Sequence, residues 1–95
     1  MIPDKKAMTL PTLRLLADGK LWPFRRIRDE LQGRLDLTVA DLARRTGDDR
    51  RTAYSYALSE ALQYMIAEGL VLNPTRAHYS ISGAGKAYLQ TTEAL

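Results

Sequence analysis

Arg25, Arg26, Arg28, Arg34, Arg44, Arg45, Arg50 and Arg51 all fall between Trp22 and Thr52, in close clusters. A planar guanidinium offers paired N–H donors that match phosphate oxygens and guanine edges, so this crowding suits a polyanionic partner. Asp29, Glu30, Asp36, Asp41, Asp48 and Asp49 are interleaved with them. Charge alone therefore leaves a solvated surface as an equal reading. Arg50 and Arg51 carry more information. They stand at the expected start of a long helix, where positive charge opposes the macrodipole by roughly a few tenths of a kcal/mol each. Asp48 and Asp49 offset that cost, and a helix that meets a major groove by its N-terminal end would explain the placement. Further along the same helix, Thr52, Ser55, Tyr56, Ser59 and Gln63 fall opposite Tyr54, Leu58, Ala61 and Met65. That face is short, polar and free of carboxylate until Glu60, as a surface turned to phosphates or base edges must be. Each of these residues also reads as simple solvation of an outer face. Arg76 lies in a loop beside Asn73 and Pro74, where it would follow a phosphate backbone or reach a minor groove. With Arg44 and Arg45, these residues make up the candidate contact set: Arg44, Arg45, Arg50, Arg51, Thr52, Ser55, Tyr56, Ser59 and Arg76.

Catalytic chemistry finds little to work with. There is no cysteine, which excludes disulfides, thiolate metal sites and thiol nucleophiles. His78 is the single histidine and reads as an exposed, structural strand residue. Asp29 and Glu30 are adjacent on a helix and so point about 100° apart, poor geometry for a shared metal or a carboxylate pair. Ser80-Ile81-Ser82-Gly83-Ala84-Gly85 has glycines but lacks the lysine–threonine ending of a phosphate-binding loop. No catalytic residue, metal or cofactor is expected.

The elements that would hold the basic residues follow from apolar spacing. A first helix is expected over Thr9–Gly19, capped by Thr9, with Pro11 in its first turn and Gly19 as a left-handed stop. Leu10, Leu13, Leu16 and Ala17 share its inner face. Pro23 holds Trp22 extended, and Trp22 reads as packing rather than as a stacking platform. A second helix runs from Pro23 to about Gly33 or Arg34, with Phe24, Ile27 and Leu31 inward. Thr38-Val39-Ala40-Asp41 starts a short third helix with a capping box in which aspartate replaces the usual glutamate. Val39, Leu42 and Ala43 turn inward, and Gly47 ends it. The long helix then runs from an Asp48 or Asp49 cap to about Glu68, with an inner stripe from Tyr54 through Ile66. Leu70-Val71-Leu72 and His78-Tyr79-Ser80-Ile81 form a hairpin around 73–77. Ser82 caps a last helix that Gly83 and Gly85 weaken. The fold class is therefore mainly α with a small β-hairpin, a winged helix-turn-helix. The whole chain, 1–95, is expected to be one such domain, with 1–8 an N-terminal arm.

Apolar residues make up 45% of the chain and charged residues 26%, with net charge +3. That balance supports a modest core without cross-links. No apolar run is long enough to span a membrane, and Met-Ile-Pro-Asp-Lys-Lys does not open a signal peptide. A cytoplasmic location is expected.

Leu10-Pro11-Thr12-Leu13-Arg14-Leu15-Leu16-Ala17-Asp18-Gly19-Lys20 resembles the opening of the N-terminal domain of Mrr-type restriction proteins. Ala61 through Ala67-Glu68-Gly69-Leu70-Val71, then Pro74-Thr75-Arg76-Ala77-His78-Tyr79-Ser80-Ile81-Ser82 and Gly85, is similar to that domain's ending. The resemblance implies a winged-helix module that reads double-stranded DNA and precedes a separate nuclease domain of the PD-(D/E)xK type. These 95 residues do not include that nuclease, so a non-enzymatic targeting module is expected, its cutting partner separate or C-terminal. Two departures bear on base preference: Tyr56-Ala57-Leu58-Ser59-Glu60-Ala61 replaces an Asn-Arg-Val-x-Trp-Ala run, and Ala77 replaces the wing glycine. A small transcriptional regulator of the same fold, or a winged helix that mediates protein contacts, stays open. A homodimer would have to pair through the terminal segments, with Tyr88, Leu89 and Leu95.

Overall fold

The structure is a computed structural model that describes residues 2–44 and 52–93. Helix α1 spans Lys5–Leu15 and is capped by Asp4, whose Oδ1 accepts from the Ala7 amide at 2.8 Å. The expected cap at Thr9 is thus corrected. Thr9 lies inside the helix and returns its hydroxyl to the Lys5 carbonyl at 2.9 Å, a local bond that lets threonine sit mid-helix as well as at a start. Residues 5–8, expected in an N-terminal arm, belong to α1, and Met8 is fully buried. Pro11 is consequently interior rather than in the first turn, with no N–H to offer the Ala7 carbonyl. Burial of Met8, Thr9, Thr12 and Leu13 holds the helix across it. Ala17 is exposed in a single 3₁₀ turn, Leu16–Asp18, and Gly19 closes that turn at φ 77° as expected.

Strand β1, Trp22–Pro23, leads into α2, Phe24–Arg34, which matches the expected span. Ile27 and Leu31 are its buried positions. Trp22 is buried, with its indole N–H donating to Asp18 Oδ1 at 3.1 Å and the Arg26 guanidinium over its ring at 4.6 Å. It packs, as expected. Helix α3, Val39–Ala43, starts on a complete capping box: the Asp41 amide donates to Thr38 Oγ1 and the Thr38 amide to Asp41 Oδ2, both at 3.1 Å. Its inner face is narrower than expected. Val39 is 84% exposed, Ala43 is exposed, and Leu42 is half-buried. A helix of little more than one turn has room to bury one side chain, and Leu35 and Leu37 before it supply the remaining apolar contact.

Helix α4 spans Ala53–Ala67 and is capped by Thr52. This corrects the expected cap at Asp48 or Asp49, because the Thr52 hydroxyl takes the first-turn Ser55 amide, and the expected stop at Gly47, because α3 already ends at Ala43 with Arg44 extended. Gly47, Asp48 and Asp49 themselves lie outside the described residues. Tyr54, Leu58, Ala61, Leu62 and Met65 form its buried stripe, while Ala57 and Ile66 are half-buried. Gly69, at φ 78°, turns the chain into β2, Val71–Thr75, and β3, His78–Ile81. These strands pair antiparallel, Val71 opposite Ile81, with an irregularity between Leu72 and Thr75. β1 joins the far edge of β3, Trp22 opposite Tyr79, giving the sheet order β1-β3-β2. A two-residue strand has too little periodicity to read from sequence.

Helix α5, Gly83–Glu93, begins at Ser82, whose Oγ accepts from the Gly85 amide at 2.9 Å and donates to the Gly69 carbonyl at 2.6 Å. Ser82 therefore caps the helix as expected and ties it to the end of α4. The core lies between α1, α4 and the inner face of the sheet, with Leu31 and Ile27 closing one side and Leu89 the other. The fold is mainly α with a small antiparallel sheet, a winged-helix-like arrangement. Among the described residues, no helix is long and apolar enough to cross a membrane.

Candidate nucleic-acid interface

Helices α3 and α4 are joined across the intervening segment by the Ala53 amide, which donates to the Arg44 carbonyl at 2.7 Å. Tyr54 fixes α4 to α2 by donating its hydroxyl to the Arg28 carbonyl at 2.7 Å. Burial pushes the Tyr54 hydroxyl well above its ordinary pKa of 10.0, so it stays a donor. Helix α4 is therefore tied to the end of α3 by a backbone bond and to α2 by a buried tyrosine.

The expected contact residues separate. Thr52 is the α4 cap: its Oγ1 accepts from the Ser55 amide at 3.1 Å and donates to Ser55 Oγ at 3.0 Å. Ser55 is 7% exposed. It lies in a recess with Arg28 and Gln32 of α2 and Leu42 of α3, and so is not on the outer face. The reason is α2, which covers the first turn of α4 from a side that a helical wheel of α4 alone does not include. Tyr56 is 42% exposed on the outer face, beside Glu60 and next to Asp4 and Lys5 at the start of α1. Arg44 is exposed at the end of α3. Arg45, Arg50 and Arg51 lie outside the described residues.

Ser59 and Arg76 do come together. With Gln63 of α4 and Phe24, Asn73, Ala77 and Tyr79, they line an open cleft of about 480 Å³ between α4 and the wing formed by β2 and β3. The side chains of Ser59, Gln63 and Arg76 make no hydrogen bond among the described residues. Their donors and acceptors are open to a ligand.

The wing that carries Arg76 is braced. Asn73 Nδ2 donates to the Thr75 carbonyl at 2.8 Å and to the His78 carbonyl at 2.7 Å, bridging the strands where their register is irregular. His78 Nδ1 lies 2.8 Å from the Arg76 carbonyl oxygen, within hydrogen-bond distance across the wing turn. The Ala77 carbonyl accepts from the Phe24 amide at 2.8 Å, which fastens the wing turn to the start of α2. Ala77 adopts φ 61°, in the left-handed region that glycine enters without steric cost.

The model of the Mrr N-terminal domain matches residues 6–91 of this chain. The chain belongs to the Mrr N-terminal domain family. No curated protein and no solved structure matches it. The family match runs from the second residue of α1 into the last turns of α5, so every element that lines the α4–wing cleft belongs to the Mrr N-terminal domain. Membership ties the chain to Mrr-type restriction proteins.

Within this Mrr N-terminal domain, Phe24, Gln63, Asn73, Ala77 and Tyr79 are the cleft residues absent from the contact set read from sequence, although Gln63 was placed on the same polar face of the long helix. For Asn73 a signal existed: asparagine before proline in a hairpin is a local backbone binder. For Phe24 there was none. Its place depends on the bond between its own amide and Ala77, residues more than fifty positions apart in the chain.

Proposed function

We propose that this Mrr N-terminal domain is a double-stranded DNA-binding module that targets or regulates a restriction-type system and has no catalytic centre of its own. Any cutting would belong to a separate nuclease domain. The reading is supported chiefly by the α4–wing cleft, where Ser59 and Gln63 meet Arg76 and none of the three side chains has a hydrogen-bond partner among the described residues. In this reading the outer face of α4 lies in the major groove, and Arg76 follows the adjacent backbone from the wing. Arg44 at the end of α3 meets a phosphate, and the sequence adds Arg45, Arg50 and Arg51 between α3 and α4, outside the described residues. The bracing of the wing by Asn73 and Phe24 favours this use, because a pre-ordered loop loses little freedom on binding.

The test is binding of the full chain to a duplex of arbitrary sequence, followed by fluorescence anisotropy between about 50 and 200 mM salt. Affinity should fall linearly on a log–log plot, with a slope that reflects several phosphate contacts. No binding at about 50 mM salt would overturn the reading in favour of a winged helix that contacts protein.

A further inference from the structure

Tyr79 is 7% exposed, and its hydroxyl, which makes no hydrogen bond among the described residues, reaches solvent rather than being sealed in the core. Desolvation raises the Tyr79 hydroxyl above its ordinary pKa, so at neutral pH it keeps its proton. Tyr79 lines the α4–wing cleft together with the half-buried Phe24 ring. The same cleft holds the Ser59 hydroxyl and the Gln63 amide, both without hydrogen-bond partners among the described residues, and Arg76 at the wing turn.

This set does not suit a phosphate. Arg76 is the one cationic side chain among the described residues of the lining, and aromatic carbon adds nothing to anion binding. It suits a flat, neutral heterocycle: ring surface to pack on its face, and hydroxyl and amide groups to meet the donors and acceptors along its edge. The volume, about 480 Å³, falls in the range of small-ligand sites, roughly 300–1,000 Å³.

We infer that the α4–wing cleft is a nucleobase subsite that takes one base turned out of the duplex, with Phe24 and Tyr79 beside the ring and Ser59, Gln63 and the Tyr79 hydroxyl on its edge. This rests on the DNA-binding reading above and adds to it a requirement for an unpaired base.

The experiment compares binding of the full chain to two duplexes of the same sequence, one fully paired and one with a single unpaired adenine at its centre. The bulged duplex should bind about tenfold or more tighter, because its base has no pairing to lose. Tyr79→Phe and Gln63→Ala should each bring the ratio of affinities toward one. Tyr79→Phe should melt like the parent chain, because the hydroxyl it removes bonds to nothing among the described residues. Equal affinity for the two duplexes with a steep salt dependence overturns the subsite and leaves the DNA-binding reading standing. No binding to either duplex overturns both. A bulge preference that survives both substitutions comes from duplex flexibility and also overturns the subsite.

Discussion

A methyl group added at Gly85 would collide with the Leu70 carbonyl oxygen and come within 2.8 Å of Ile81 Cγ1. Helix propensity argues the other way, since alanine is favoured over glycine by about 1 kcal/mol inside a helix. Against a backbone carbonyl that cannot turn aside, overpacking of about 2–3 kcal/mol outweighs it. Gly85→Ala should therefore lower the unfolding free energy in a urea titration by at least about 1 kcal/mol. Gly83→Ala, where the added carbon meets nothing within 4 Å, should leave it unchanged or raise it by up to about 1 kcal/mol. From sequence both glycines were only helix weakeners, because close approach is a property of the packed neighbour. Asp18 makes a second case. Its carboxylate is held below the ordinary 3.8 first by the Lys20 amide, 2.9 Å away, and then by the Trp22 indole. A depressed pKa means the folded state favours the anion. The contribution is complete above the ordinary value and is lost as pH falls through the lower folded value. Acid should thus weaken the fold below about pH 4, and Asp18→Asn should show a smaller loss over the same range. Trp22, the single tryptophan, reports the transition by fluorescence. At the candidate interface, Ser59 and Arg76 kept the positions read from sequence, whereas Thr52 and Ser55 bond to each other at the cap. A short hydroxyl side chain looks the same in a sequence whether it caps a helix or faces a groove.

At the scale of elements, α4 begins where Thr52 satisfies the Ser55 amide. Thr52→Ala should reduce stability by about 1 kcal/mol in a chemical denaturation. It should act on the first turn of α4, where circular dichroism would show lost helix at partial denaturation. Helix α2 was legible to within a residue at each end because its signals are local: Pro23, which is its cap, sets the start, and Ile27 and Leu31 set the face. The start of α1 was not. Thr9 and Pro11 together imitate an N-terminus, and the residue that does cap the helix, Asp4, stands before two lysines and offers no apolar pattern. Helix α3 was legible in its capping box but not in its burial, since one turn carries no periodicity to separate Val39 from Leu42. The wing was legible as a hairpin. Its third strand and its bracing depend on pairing between Trp22–Pro23 and His78–Tyr79, which only the assembled fold brings together.

At the scale of the whole molecule, the α4–wing cleft and Arg44 are the described features on which DNA affinity would rest. Arg76→Ala should reduce the slope of the salt dependence by about one, the value of a single phosphate contact, and weaken binding to all duplex sequences alike. Affinity measured at several salt concentrations separates this from a folding defect, which would leave the slope unchanged. One bond described above has a further consequence for motion. Amides in the first turn of a helix ordinarily exchange their hydrogens with solvent quickly, because no earlier carbonyl in the helix receives them. The first amide of α2, Phe24, instead donates to Ala77 at the wing turn. Its exchange should be slow by nuclear magnetic resonance, slower than at Arg25 and Arg26, and should occur only when the wing lifts. One hydrogen thus becomes a clock for wing opening, readable without any ligand and expected to run slower once a duplex is bound.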